Sequence, residues 1–321
     1  MAKLRLRLSA RWPGAFAPLM LTLSFALNVL ALCLPFMELR RGLSTHPYSL
    51  QASVKLLWES KLYVLAGVVV AFSMVFPFLK LGVMSLVLFG GVSESRERRT
   101  LEFVERFGKW SMLDVFLVCI MLALANDQFW IDAQPRAGLL CFTLAIVASM
   151  LTSRQMLARL LHAESRQELE LRHPRWLASG QALLFALLIA VLLVPFLEIN
   201  DWLLEDHPVS ILSTISGLWG SGAHSLAVIA LLFLVIAPVL AAMSTLALFL
   251  FAAGGRNTEG MRELAQQLRH WAMLDVFALA LGIFLVEGSA FVRTELTWGA
   301  FLLALLLALY WPASTWYGRR V

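Results

Sequence analysis

Charge is the scarcest commodity in this chain. Of 321 residues only 15% are Asp, Glu, Lys or Arg, against 60% hydrophobic, and the mean hydropathy is +0.77. A water-soluble domain carries roughly a quarter charged residues and under half apolar ones. So few charges cannot cover so much apolar surface in water, which excludes a soluble globular domain, a disordered chain and a collagen-like fibre. Cysteine is nearly as sparse: Cys33, Cys119 and Cys141 stand alone in apolar stretches, with no CxxC pair. That excludes a disulfide scaffold, a zinc ribbon and a thioredoxin-type motif, and the three read as packing residues. There is no Walker loop and no nucleophile constellation, and His46 and His207 have no partners at metal-ligand spacing. An enzyme, a metal site and a cofactor are all unexpected.

What is present is lipid-compatible length. A bilayer core asks for about 20 mainly apolar residues per helical crossing. Eight stretches qualify: 15–37, 62–90, 111–126, 137–152, 177–198, 224–253, 272–287 and 297–316. The first is longer than a signal-peptide core and lacks a small-x-small cleavage site, so it reads as a retained span. Basic residues orient the bundle, because cytoplasmic loops collect Lys and Arg. With a cytoplasmic N-terminus, 19 of the 26 basic residues fall inside and 6 outside, with Lys80 within a span. Both termini are therefore expected in the cytoplasm, and the net charge of +5 needs no nucleic-acid partner.

The chain also repeats itself. Trp110-Ser111-Met112-Leu113-Asp114-Val115-Phe116 returns 161 residues later as Trp271-Ala272-Met273-Leu274-Asp275-Val276-Phe277. The same offset carries His46-Pro47 onto His207-Pro208, Trp58 onto Trp219 and Pro77 onto Pro238. An offset of 160 carries Pro35-Phe36-Met37-Glu38 onto Pro195-Phe196-Leu197-Glu198. The expectation is an all-α polytopic membrane protein of eight helices in two tandem four-helix modules, 1–152 and 177–321. An even number of spans per module sets both the same way up, a parallel rather than an inverted repeat. Residues 153–176, with Leu157, Leu160 and Leu161 among arginines and glutamates, read as an amphipathic connector on the cytoplasmic face.

Three features carry chemistry. In the external loops, Leu50, Val54, Leu57 and Trp58 recur as Ile211, Ile215, Leu218 and Trp219, spaced to share one helical face. They form either an interfacial helix anchored by its tryptophan or a lid and docking element, with Pro47 and Pro208 near the helix starts. Asp114 and Asp275 stand about one turn inside their spans, where a carboxylate defaults to a functional hypothesis, although the helix N-terminus also favours an acid there. Lys80 sits about 15 Å deep at 1.5 Å per residue. Asp114 on the next span is its expected partner. The second module has Ala241 or Ala242 at the matching place, so Asp275 is expected to lack this cation and the modules to differ. Pro77 and Pro238 free backbone carbonyls that could line a polar cavity. Glu38 and Glu198 read as solvated end-cap acids.

The duplicated W-x-M-L-D-V-F motif, with the Pro-Phe-Met-Glu and Pro-Phe-Leu-Glu segments and the four-span module, resembles the paraquat-inducible protein A family, which includes the LetA-type envelope proteins. The resemblance covers about residues 15–317. It picks out Trp110, Met112, Asp114 and Phe116, with Trp271, Met273, Asp275 and Phe277, as family positions. It implies an inner-membrane protein of Gram-negative bacteria that works with a mammalian-cell-entry (MCE) domain partner, whose rings form a periplasmic tunnel for lipids. Members usually place a cysteine-rich zinc ribbon before each module. Here those ribbons are missing, since neither the short leading segment nor the connector with His162 and His173 contains a cysteine.

The leading expectation is a non-enzymatic component of envelope lipid transport, with membrane lipids and an MCE-domain protein as partners. Acyl chains would enter from the bilayer, and the headgroup would meet Lys80 and Asp114. A proton-coupled exporter of small solutes and a structural anchor for a periplasmic partner are the alternatives.

Overall fold

The computed structural model describes residues 16–41, 44–59, 61, 63–89, 99–101, 103–104, 108–126, 131–161, 174–199, 207–255, 259–287 and 294–318. The protein divides into two compact units, residues 1–118 with 128–165, and residues 119–127 with 166–321.

In the first unit α1 (Phe16–Cys33) contains no charged residue. A helix with no charge and only Thr22, Ser24 and Asn28 polar suits lipid, which demands that every backbone polar group be satisfied internally. It leads into β1 (Pro35–Arg41) and β2 (Ser44–Ser49), then the short helix α2 (Leu50–Glu59). The next helix starts as α3 (Tyr63–Val69), loosens into a π-helical turn at Val70–Val75 and resumes as α4 (Phe76–Phe89). A 3₁₀ turn at Lys109–Met112 opens α5 (Leu113–Asn126), whose residues from Cys119 onward are counted with the second unit, followed by β3 (Ile131–Pro135) and the long α6 (Ala137–Leu161). α1 packs along α6, and the buried Ser24 hydroxyl donates to the Ala145 carbonyl across that seam at 2.8 Å. Side-chain polar groups serve as such glue between membrane helices. Leu21, Leu81, Met84, Leu101 and Met156 close the apolar core below it.

The second unit repeats this order. It runs through α7 (Pro174–Leu193), β4 (Leu197–Ile199), β5 (His207–Val209), α8 (Ile211–Gly220) and α9 (His224–Ala230). A π-helical turn at Leu231–Ile236 leads to α10 (Ala237–Ala253), then α11 (Glu259–Trp271), α12 (Leu274–Glu287), β6 (Thr294–Leu296) and α13 (Trp298–Gly318). The two π turns begin at Val70 and Leu231, 161 residues apart, and each is followed by its proline. Proline lacks the N–H that would continue the ladder, and a π turn is one way a helix absorbs that loss.

Among the described residues, five helical stretches are long and apolar enough to cross a bilayer: Ala66–Phe89, Ala137–Met156, Arg175–Leu193, His224–Ala253 and Gly260–Val286. Ala17–Cys33, Ile211–Gly220 and Trp298–Tyr310 are shorter apolar helices. This is a helical membrane protein. To the all-helical expectation the structure adds two antiparallel three-stranded sheets, ordered β2-β1-β3 and β5-β4-β6. Pro47 and Pro208 precede the short helices, which start at Leu50 and Ile211. The two prolines lie in edge strands β2 and β5, where a missing N–H costs least. In the second unit Ser210 caps α8, forming a capping box with Ser213. α6 also runs past residue 152 to Leu161, so the start of the expected 153–176 connector continues a membrane helix. Residues 162–173 lie outside the described ones.

Each sheet is clamped to the following helix by a glycine. Gly299 N–H donates to the Pro195 carbonyl at 3.0 Å, and a Cβ there would fall 2.2 Å from that oxygen. At the equivalent Gly138 it would fall 2.6 Å from the Pro35 oxygen. Glu38, in β1, pairs with Arg136 beside this clamp rather than standing solvated. Because backbone oxygens cannot swing aside, Gly138→Ala and Gly299→Ala should each lower stability by about 1–3 kcal/mol, the usual cost of overpacking. Thermal unfolding in detergent measures it, with Gly180→Ala, which meets nothing within 4 Å, as control.

Candidate functional site

The polar features converge where the second helix of each unit meets the head of the third. In the second unit, the Ala237 N–H already bonds back five residues to Leu232. Continuing that register would bring the next N–H to Phe233, but the next residue is Pro238. The Phe233 carbonyl is taken instead by the Met273 N–H, at 3.3 Å. The freed carbonyl therefore does not line a polar cavity, as the proline alone suggested, but receives the repeated motif. The rest of the motif packs around this bond. Trp271 stacks on Phe233 with centroids 5.8 Å apart, Met273 and Phe277 are fully buried, and Phe277 meets Phe196 edge-on at 5.5 Å. In the first unit Met112 and Phe116 are equally buried, Trp110 is half-buried, and Pro77 lies buried directly after its π turn.

Lys80 lies on α4 at only 2% exposure. Its ammonium does not snorkel toward solvent. It reaches the head of the third helix, where a Cβ on Gly108 would stand 2.7 Å from Nζ and 3.9 Å from Met150 Cγ. Glycine at 108 is what makes room for the cation. Asp114 is the second residue of α5. Its side chain lies outside the described residues, so its pairing with Lys80 remains an expectation.

The second unit corrects the expected asymmetry. Ala241 and Ala242 are buried, so helix two brings no cation there. Position 269, however, which corresponds to Gly108 at the offset of 161, is an arginine. The Arg269 guanidinium centre lies 5.7 Å from the centroid of the Tyr310 ring, and the Tyr310 hydroxyl is within electrostatic reach of both Arg269 and Asp275. Asp275 also accepts from the Val276 N–H at 3.0 Å, a helix-start arrangement. Asp275 thus has a cation in its neighbourhood. A search confined to positions 241 and 242 missed it; the same offset applied to Gly108 finds it.

The apolar stripes divide. Leu50, Ile211 and Leu218 are buried, and Val54, Leu57 and Ile215 are half-buried. Trp58 and Trp219 are 60% and 56% exposed, because eight residues at 3.6 per turn carry them about 80° off the first position. Trp58 meets Tyr63 edge-on at 5.0 Å, and Trp219 tilts over His224 at 4.7 Å. Beside Trp58 runs an open, almost wholly apolar groove of about 420 Å³ along α3 and the π turn, lined by Val54, Trp58, Gly67, Ala71, Val75 and Leu79.

These features define a multi-pass helical membrane protein whose second helices are broken at a proline-marked π turn and braced by the third. A family model for paraquat-inducible protein A matches the chain twice, over residues 17–165 and 174–321. The chain belongs to that family. It is 31% identical over 154 residues to the intermembrane transport protein PqiA of Escherichia coli (strain K12), an alignment covering 46% of this chain and 36% of that protein. The same figures hold for the intermembrane transport protein PqiA of Shigella flexneri. The alignment thus takes in about a third of the length of these relatives. No solved structure matches.

A methyl at position 108 must displace the Lys80 ammonium. Gly108→Ala should cost about 1–3 kcal/mol of stability. Gly82→Ala, on the neighbouring helix and meeting nothing within 4 Å, should be neutral or stabilising by up to about 1 kcal/mol. Paired melting curves of the purified variants compare the two.

Proposed function

We propose that this chain is a non-enzymatic inner-membrane component of an envelope lipid transport system, passing lipids between the inner membrane and a periplasmic MCE-domain partner. The observation that carries the reading is that one helix bears both halves of an amphiphile's complement. The apolar groove along α3 ends at Leu79, and the next residue is the buried Lys80. In this reading an acyl chain takes the first and an anionic headgroup phosphate is drawn to the second. The relatives' printed name, intermembrane transport protein, supports the same reading. Asp114, at the head of the third helix, holds the lysine when no headgroup is present.

In this reading the chain forms eight spans as two four-helix modules the same way up, with both termini in the cytoplasm. The bias of basic residues and the twofold family match support that arrangement. The sheets and the Trp58 and Trp219 helices then face the periplasm, where a tunnel partner would seat.

The test fills the groove and neutralises the cation separately. A Cβ on Gly67 meets nothing within 4 Å, so Gly67→Leu should fold normally and occupy the groove. Lys80→Met combined with Asp114→Asn keeps the volume and removes both charges, since taking one member from a buried pair alone costs about 3–5 kcal/mol. Both variants should be present at wild-type levels in the membrane yet leave cells as detergent-sensitive as a deletion. Wild-type resistance in both would remove the proposal.

A further inference from the structure

The two units solve the same electrostatic problem from opposite sides. In the first, helix two supplies the cation (Lys80) and the head of helix three supplies the space (Gly108); in the second, position 241 on helix two is alanine and the head of helix three carries the cation (Arg269). Both pairs are related by the offset that aligns the prolines, the π turns and the duplicated motif. Exchange of a cation between two aligned positions leaves each unit with one cation, carried by helix two in the first and by the head of helix three in the second.

We propose that Arg269 is a binding residue for an acidic phosphate headgroup, so that the chain carries two headgroup sites, one in each unit. This rests on the lipid reading above. Three observations point to a ligand at Arg269. Its Nε is buried, and among the described residues it has no hydrogen-bond partner. The guanidinium centre lies 5.7 Å from the Tyr310 ring centroid, within cation–π range. The Tyr310 hydroxyl adds a further donor in the same neighbourhood. A planar fork with five donors matches two phosphate oxygens at once, as a lysine point charge does not. An acidic side chain in the same neighbourhood, Asp275, disfavours ligands carrying more negative charge than a phosphodiester.

Native mass spectrometry in micelles with phosphatidylglycerol, against phosphatidylcholine as control, counts the sites. Wild-type protein should retain two phosphatidylglycerol molecules, Lys80→Met and Arg269→Met one each, and the double variant none. Relocation should restore the count: Lys80→Ala with Gly108→Lys, and Arg269→Gly with Ala241→Lys, should each return to two. The second relocation also covers the case that Arg269→Met fails to fold. One retained lipid that depends on Lys80 alone, or relocated variants stuck at one, would overturn the second site while leaving the lipid reading intact. No retained lipid in any form would overturn the lipid reading itself. Inorganic phosphate that raises the melting temperature as much as phosphatidylglycerol does would assign Arg269 to free phosphate and defeat the headgroup form of the proposal.

Discussion

The structure depends on a backbone carbonyl that has lost its donor. Inside lipid no water can replace a missing hydrogen bond, so each freed group must find a protein partner. A proline after a π turn frees one carbonyl on the second helix, and in the second unit the Met273 N–H fills the vacancy left at Phe233. The head of the third helix is held at that point, and the motif residues arrange themselves around the bond. Tryptophan covers the π turn, methionine and phenylalanine fill the core behind it, and the phenylalanine reaches the segment that begins the sheet. The duplicated W-x-M-L-D-V-F sequence is therefore a packing solution to a proline, and the charges are placed relative to it.

That placement explains why a buried cation is tolerable. A lysine or arginine in hydrocarbon is costly unless it has polar surroundings, and the start of the third helix is where membrane-depth backbone is least regular. Lys80 reaches this place from one side and Arg269 occupies it from the other. Each unit also puts an aspartate on the following turn, at Asp114 and Asp275, where the helix start favours an acid. In the second unit the cation and the acid thus share one neighbourhood, around Tyr310.

Much of this was legible in the sequence. Offsets of rare residues exposed the repeat, prolines marked the second helices at the site of both π turns, and the depth of Lys80 singled it out. What escaped has physical reasons. The strands are short and rich in proline, with Pro35, Pro47, Pro135 and Pro208 all inside them, so no alternating pattern announces a sheet. The tryptophans satisfy a simple i, i+8 stripe, yet that spacing drifts far enough to bring both rings out of the buried face. Arg269 was hidden because comparing like with like at one position cannot see a charge that has moved to a neighbouring helix.

The groove shows how little sequence separates an open apolar face from a filled one. Its open floor depends on Gly67 and Ala71, one turn apart. In the second unit the corresponding positions are Val228 and Leu232, and Val75 is answered by Ile236. The neighbouring frame is otherwise retained: the π turn, the short helix with its exposed tryptophan and the proline recur in both. Duplication thus kept the backbone device in both units, while side-chain volume sets the floor of the groove beside Trp58: small at Gly67 and Ala71 in the first unit, branched and larger at Val228 and Leu232 in the second.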